Sequence, residues 1–231
     1  MILSAHQPNF IPWTGYFLKV ALSDIHVILD DVEYSKNGWI NRNKVKLSTD
    51  SYITLPVRKK DTGLPIKSVM LAQNYRQAVN KSRKTLKQFY GKSPGFDFID
   101  AVFQEALEIG DTGLFNVNYL IIARILDHLR IETPLILMSN VGIEPGLKSS
   151  DMLVDICVKN NCDQYLSGLG AKDYLQEDVF KKQDIDVLWS NKTIRTLEKF
   201  NISNNSIIEM IFMYGDESAN IMSKLIREAL S

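Results

Sequence analysis

Short apolar segments of strand length occur near both ends of the chain, and segments of helical period lie between them. The predicted strands cover residues 1–5, 25–29, 51–57, 134–138, 164–166 and 185–189. A helix predicted over 13–23 joins the first two strands, which makes one strand–helix–strand unit. Such units favour parallel pairing. The pattern predicts an α/β fold, a three-layer Rossmann-like arrangement with a mainly parallel sheet.

The middle and the C-terminal part of the chain are predicted to be helical. Residues 76–90, 96–109 and 114–129 carry apolar side chains every three or four positions, and further helices are predicted over 149–158 and from 206 and 217 onward. We therefore expect a single α/β domain over 1–231 with a helical insertion at about 70–130. An insertion at this place can cover the strand ends as a lid.

The composition is that of an ordinary soluble globular protein. Apolar residues make up 45% and charged residues 23% of the 231 positions, and 27 basic residues balance 27 acidic ones. This balance gives no field that would attract nucleic acid or anionic lipid. The start of the chain lacks a basic region, so no signal peptide is expected, and no apolar run is long enough to span a bilayer. These features predict a cytoplasmic protein without nucleic-acid partners or membrane spans.

The two cysteines, Cys157 and Cys162, lie on a predicted helix at a spacing that points them in different directions. This spacing fits neither a redox pair nor half of a zinc site. We predict two buried free thiols, and the sequence shows no metal-binding constellation.

Polar and aromatic residues are concentrated where the first predicted strand ends. His6, Gln7, Asn9, Trp13 and Tyr16 lie in this strand-to-helix junction, and ligands of α/β proteins bind beside such junctions. His6, with an ordinary pKa of about 6.5, is the natural proton acceptor, and Gln7 and Asn9 can fix its tautomer. The alternative is a histidine that only caps the turn. We favour a catalytic His6 whose neighbours contact the substrate.

Asp30 and Asp31 end the second predicted strand, beside the junction that carries His6. The carboxyl ends of neighbouring parallel strands lie together, so either aspartate can orient His6 or bind a hydroxyl or amine of the ligand. An ordinary turn or helix-capping aspartate is an equal alternative. His26 and His128 lie on apolar faces and are predicted to be core histidines.

The run from 34 to 44 is too polar for a core and too aromatic for an ordinary loop. Its candidates for ligand contact are Tyr34, Trp39, Asn41, Arg42, Asn43 and Lys44. Arginine and asparagine donors suit phosphate or carboxylate, and an aromatic ring can stack on a base or a sugar. A twisted edge hairpin is the structural alternative, and we favour ligand contact.

A second strand-to-helix turn follows the strand at 164–166. Its candidate residues are Ser167, Gly168, Lys172 and Tyr174. Glycine lets backbone N–H groups approach an anion, and Lys172 adds a positive charge. Packing alone can also explain two glycines in such a turn. The turn is neither a Walker loop nor a complete dinucleotide fingerprint.

These motifs resemble the WbqC-like family. The resemblance is carried by the segment from His6 to Tyr16 (His-Gln-Pro-Asn-Phe-Ile-Pro-Trp-Thr-Gly-Tyr), by Asp30-Asp31-Val32, by Asn41-Arg42-Asn43 and by the block from Ser167 to Tyr174. It spans most of the chain. It implies a bacterial transferase of O-antigen, lipopolysaccharide and other surface-polysaccharide biosynthesis, which transfers a glycyl or other acyl group.

Residues 10–16 are also similar to the phosphate-binding turn of the HIGH-type nucleotidyltransferases, at the same place after the first strand. This likeness implies a nucleotidyltransferase/HUP-like fold and a nucleotide pocket. Thr14 and Tyr16 occupy the positions where that motif needs histidines. The departure argues against nucleotidyl transfer.

Together these observations favour an enzyme, an acyl or aminoacyl transferase that modifies the amine of a nucleotide-linked amino sugar, for example with glycine. His6 is the expected general base, and Asp30 or Asp31 orients the amine or binds the sugar. The remaining assignments are phosphate contacts by Arg42, Lys44 and the 167–172 turn, and stacking by Trp39 and Tyr16.

The acyl donor must arrive activated, as a thioester or an acyl-adenylate, because the sequence shows no ATP-binding signature. The expected partners are therefore a nucleotide-linked sugar and an acyl-carrier protein, and no resident cofactor is identified. Two alternatives stay open. One is a nucleotidyltransferase that acts on a sugar phosphate or a small alcohol, and the other is a nucleotide-binding scaffold without catalysis.

Overall fold

The structure, a computed structural model, describes residues 1–36, 38–109 and 113–231. Asn37 of the polar run lies outside these ranges, as do Asp111 and Thr112, where the sequence predicts a break between two helices. Within the described ranges, no helix has the length and apolar character needed to cross a membrane.

Five parallel strands form the central sheet. The strands of the protein are β1 Ile2–His6, β2 Ile25–Ile28, β3 Arg42–Lys46, β4 Asp50–Thr54, β5 Leu135–Leu137, β6 Gln164–Ser167 and β7 Asp186–Trp189. The sheet has the order β5-β2-β1-β6-β7, while β3 and β4 pair antiparallel as a separate hairpin. This order starts at β1 and extends outward on both sides, as in doubly wound α/β folds. The predicted Rossmann-like fold class is confirmed.

Helices cover both faces of the sheet. They are α1 Thr14–Ala21, α2 Tyr75–Tyr90, α3 Phe96–Glu108, α4 Leu114–His128, α5 Met138–Val141, α6 Ser149–Lys159, α7 Glu177–Lys181, α8 Asn191–Lys199, α9 Ile207–Tyr214 and α10 Glu217–Leu230. The long helices agree with the predicted segments to within a few residues. Helix α8 was not predicted from the sequence, and its only large apolar side chains are Ile194 and Leu197.

Two hydrophobic clusters, one on each face of the central sheet, join the sheet to the helices and so give three layers. Leu3 and Val27 pack on one face of the sheet with side chains of α6 and α7. Phe17 of α1 packs with side chains of α3, α4, α9 and α10 in the other cluster. Successive strand residues point to opposite faces, so Ser4 and His26 lie on the face that α1 covers. The two cysteines are buried free thiols, as predicted.

The strand predicted over 51–57 is present as β4, but it pairs with β3 outside the central sheet. Alternation of polar and apolar residues predicts a strand without naming its partner. The C-terminal end of the polar run therefore forms one strand of a hairpin. A hairpin was the structural alternative to ligand contact for this run. The description as one domain with an insertion at about 70–130 stays a prediction.

Candidate functional site

A cavity of about 530 Å³ opens at the carboxyl ends of β1 and β6. The chain changes direction across the sheet between these strands, since β2 and β5 lie on one side of β1 and β6 and β7 on the other. Ligands of doubly wound folds bind at such a switch point. His6 and Gln7 line the cavity from the first junction, and Ser167 and Gly168 line it from the second. The fold thus brings the two predicted junctions together.

His6 lies at the end of β1 between two aromatic side chains. The ring centroids of Trp13 and Tyr16 lie 5.2 and 5.4 Å from that of His6, and both rings meet it edge-on. Its Nδ1 lies 3.1 Å from the carbonyl oxygen of Gln7. A carbonyl oxygen only accepts, so Nδ1 carries the proton and Nε2 keeps a lone pair. The backbone of Gln7, rather than a side chain, therefore fixes the tautomer.

His6 is neutral at pH 7. Burial and the positive charge of Lys19 lower the pKa of His6 from 6.5 to about 3. Loss of solvent penalises the charged form, and a neighbouring like charge adds to that penalty. The ring is still part of the cavity wall and is partly exposed. It can accept a proton from a bound ligand, most readily when the ligand itself brings negative charge.

Lys19 is a cavity residue that the sequence analysis missed. It is 5% exposed, and its Nζ donates to the carbonyl oxygen of Ala5 at 3.1 Å. Burial lowers the pKa of Lys19 from 10.5 to about 7. A signal was present in the sequence, because Lys19 is the only charged residue of α1. It follows Tyr16 by three positions and so shares its side of the helix.

Polar groups fill the space between α1 and the strands that it covers. The hydroxyl of Tyr16 lies 3.3 Å from Nε2 of His26, and Nδ1 of His26 lies 2.7 Å from Oγ of Ser4. His26 is fully buried and has a partner on each ring nitrogen, as predicted for a core histidine. The other predicted core histidine, His128, is half-buried and stacks on Phe98.

The glycines of the second junction have neither a packing reason nor a conformational reason to be glycine. A Cβ atom at Gly168 or Gly170 would meet no heavy atom within 4 Å, and neither residue has a positive φ. Both line the cavity, as does Tyr174. This openness favours close approach of a ligand to the backbone over the packing alternative. Lys172 lies outside the cavity wall, with its Nζ 5.6 Å from the ring centroid of Trp189.

Helix α8 and the segment before α9 complete the wall. Ser190, Thr193 and Asn204 line the cavity from this side. Oδ1 of Asn204 accepts a hydrogen bond from the backbone N–H of Gly15 at 2.9 Å, and a Cβ at Gly15 would lie 2.8 Å from that oxygen. A larger residue at position 15 would therefore displace the side chain of Asn204 from this hydrogen bond. Sequence reasoning missed this wall, since its helix was not predicted.

The family model of the WbqC-like protein family matches residues 7–221. The chain belongs to the WbqC-like protein family. A relative from Mycobacterium tuberculosis (strain ATCC 25618 / H37Rv), "Uncharacterized protein Rv1507c", is 30% identical to it over 192 residues, which cover 79% of each chain. No solved structure matches the chain.

The two aspartates after β2 do not line the cavity of this WbqC-like protein. Asp30 is buried, and its carboxylate accepts hydrogen bonds from the backbone N–H of Ser139 at 3.0 Å and from its hydroxyl at 2.6 Å. Asp30 thus caps the start of α5, the alternative that the sequence left open. Asp31 pairs with Lys67 at 2.8 Å. Within the described ranges, no three His, Cys, Asp or Glu side chains are grouped to hold a metal ion.

The hairpin residues surround a second cavity of about 240 Å³. Tyr34, Asn41 and Arg42 line it, and the hydroxyl of Tyr34 donates to Oδ1 of Asn41 at 2.9 Å. The two cavities share no lining residue. The structure therefore divides the predicted ligand contacts of this WbqC-like protein into two separate groups. No described residue of 70–130 lines either cavity, so α2, α3 and α4 do not cover them.

Trp39 and Lys44 lie on an exposed face of the hairpin. Trp39 is 44% exposed and stacks on Tyr52, with 6.4 Å between the ring centroids. The guanidinium carbon of Arg42 and Nζ of Lys44 lie 4.7 and 5.6 Å from the centroid of the same Tyr52 ring. These cations and rings form one surface cluster, apart from the cavity that contains His6.

Buried asparagines support the turn that follows His6. Nδ2 of Asn43 donates to the carbonyl oxygen of Ile11 at 2.8 Å. Ile11 has a φ of 40°, a left-handed value that is costly for a β-branched residue. Asn118 donates to the carbonyl oxygen of Pro8 at 2.7 Å. Asn9 is buried within the turn and does not line the cavity.

We expect Asn43→Ala to lower the free energy of unfolding by about 2 kcal/mol, because a strained turn loses a buried donor. Urea unfolding measures the change. The matched control is Asn220→Ala on the exposed face of α10, whose amide donates to Glu217 and whose loss should cost less than about 0.5 kcal/mol. Equal losses in the two variants would show that Asn43 does not support the turn.

Proposed function

We propose that this WbqC-like protein transfers an acyl or aminoacyl group, such as glycyl, to the amine of a nucleotide-linked amino sugar in surface-polysaccharide biosynthesis. The observation that carries the proposal is the state of His6. Its imidazole is neutral, its Nδ1–H is held by a backbone carbonyl, and it lines a cavity at the switch point of the sheet. A general base must be unprotonated and within reach of the proton that it removes, and it is efficient when its pKa is near the working pH, so ligand binding has to raise the pKa of His6.

In the proposed reaction, the amine nitrogen of the sugar attacks the carbonyl carbon of the activated acyl group. Nε2 of His6 takes a proton from that nitrogen as the new amide bond forms. The bond to the thiolate or adenylate breaks, the leaving group departs with the electron pair, and the imidazolium then gives its proton to the leaving group or to water. The donor is a thioester on an acyl-carrier protein or an acyl-adenylate.

The dimensions and the walls of the cavity suit such an acceptor. Its volume of about 530 Å³ is in the range of about 300–1,000 Å³ that is typical of small-molecule sites. Trp13 and Tyr174 supply aromatic walls for a base or a sugar. Gly168 and Gly170 leave the backbone of the second junction open to phosphate oxygens.

The side chains at the histidine positions of the HIGH-type motif favour acyl transfer over nucleotidyl transfer. The hydroxyl of Thr14 donates to the carbonyl oxygen of Ser203 at 3.1 Å. The hydroxyl of Tyr16 is directed at His26 inside the protein. Neither group is free to assist a phosphoryl group in the way that the histidines of that motif do.

We expect wild-type protein to add the mass of one acyl group to a nucleotide-linked amino sugar when a thioester or acyl-adenylate donor is present. Mass spectrometry of the products tests this, and a thermal-shift assay tests binding of the acceptor alone. Gly168→Val is the matched variant, because its added methyl groups enter open space at the cavity wall. Without ligand, this variant should melt at the same temperature as the wild type. It should form no product, and its melting temperature should not rise when the nucleotide-linked sugar is added.

Two results would overturn the proposal. Release of pyrophosphate from a nucleoside triphosphate would show nucleotidyl transfer, and a bound nucleotide sugar without product from any donor would show a scaffold. Full activity of Gly168→Val combined with loss of activity in Arg42→Ala would place the acceptor at the hairpin cavity instead.

A further inference from the structure

The wall of the cavity that contains His6 carries positive charge without negative charge to balance it. Among the described residues that line it, Lys19 is the only lysine or arginine, and none is an aspartate or a glutamate. Most lysines in folded proteins keep their ammonium group in water, and a buried one is normally paired with a carboxylate. The wall of this cavity offers Lys19 no such partner, so any negative charge beside it has to come from a ligand.

The protein satisfies only part of the hydrogen-bonding capacity of Lys19. An ammonium group has three N–H donors, and in the described structure Nζ donates once, to the carbonyl oxygen of Ala5 at 3.1 Å. Ala5 and Lys19 both line the cavity. The remaining donors are available at the point where β1 ends and beside the base that the proposed function uses.

None of the groups that face Lys19 supplies a negative charge near pH 7. Burial lowers the pKa of His26, and burial with the charge of Lys19 lowers that of His6, so both rings are neutral. Burial raises the pKa of Tyr16 on the same helix, which keeps that hydroxyl protonated. Helix α8 contributes Thr193 and Ile194 to the cavity, and neither titrates.

We propose that Lys19 is the anion-binding residue of this cavity and that it takes one phosphate or carboxylate group of the ligand. The inference rests on the proposed function only for the choice of cavity, and binding can be measured without turnover. Phosphate of a nucleotide sugar and carboxylate of an amino acid share this chemistry. An anion at Lys19 would also favour the imidazolium form of nearby His6, which makes that ring a stronger base in the complex.

Binding should be coupled to protonation. The amine of Lys19 is largely neutral at pH 8 in the free protein, since its pKa lies at about 7, and an ion pair in the cavity would return the group to its charged form. We therefore expect the binding of an anion to take up close to one proton at pH 8 and less at pH 6. Affinity should fall up to about tenfold for each pH unit above 7.

Isothermal titration calorimetry with inorganic phosphate, pyrophosphate and glycine tests the proposal and distinguishes the two anion classes. Wild-type protein should bind at least one of the three about tenfold or more tightly than Lys19→Met does. The control is Lys84→Met, which removes an exposed lysine of α2 and should bind like wild type. Titrations at pH 8 in buffers of different ionisation enthalpy measure the proton uptake.

Equal affinity of wild type and Lys19→Met, or no binding of any of the three anions, would overturn the assignment of Lys19, and binding without proton uptake at pH 8 would overturn its coupling to protonation. Acyl transfer that persists in such a case would leave the proposed function standing. Conversely, anion binding that depends on Lys19 without acyl transfer from any donor would overturn the proposed function and leave the anion site.

Discussion

His6→Ala should lower the rate of acyl transfer by about 10²–10⁴-fold, the typical contribution of a general base. The ring lies at the end of β1 and is partly exposed to the cavity, and its one hydrogen bond holds a backbone carbonyl that water can replace. We therefore expect the variant to keep the fold and to bind the nucleotide sugar. The loss should appear mainly in kcat and only weakly in KM, because the base acts on the transition state.

A structural role for His6 would give a different set of results. If the His6 ring is the general base, added imidazole should restore part of the activity of His6→Ala. The restored activity should rise with pH as the free imidazole becomes neutral. His6→Gln, which can donate and accept hydrogen bonds but cannot take the proton, should stay inactive. Turnover at the wild-type rate in either variant would remove His6 from the mechanism.

The sequence predicted the parts of this fold that depend on local pattern. Continuous apolar segments and helical spacing of apolar residues identified the central sheet and its first strand–helix–strand unit. The same reasoning placed His6 and the 167–174 turn at strand ends, and the parallel sheet then brings them to one cavity. Their shared location could be expected, since parallel strands end at one edge.

Other features depend on partners that are distant in the sequence. Asn43 was assigned to a ligand, and in the structure it holds the carbonyl of Ile11, which lies 32 positions away. Asp30 accepts its hydrogen bonds from Ser139, which lies 109 positions further along the chain. No pattern within one segment indicates such pairings, because polar side chains suit ligands and buried carbonyls equally well. Lys19 was overlooked because charge on a helix normally indicates a solvent-exposed side.

Lys19→Met should raise the free energy of unfolding of the ligand-free protein by about 4 kcal/mol at pH 6. The buried amine of Lys19 has a pKa of about 7 in the folded chain against 10.5 for an unperturbed lysine. Between these two values the unfolded chain binds more protons than the folded one, so the stability of the wild type rises with pH across this window. A difference of one in pKa corresponds to about 1.4 kcal/mol, and the lost hydrogen bond to Ala5 subtracts about 1 kcal/mol from the total.

The pH dependence separates this explanation from ordinary packing. Methionine has nearly the same shape as the lysine side chain but no charge, so the difference in stability between Lys19→Met and wild type should be largest below pH 7 and should fade toward pH 10. Urea unfolding at a series of pH values measures it, and Lys84→Met should show no such trend. A variant that is less stable than wild type at pH 6 would show that Lys19 is satisfied by the protein itself. A gain in stability that accompanies a loss of anion binding is the pattern expected of a residue kept for function at the expense of folding.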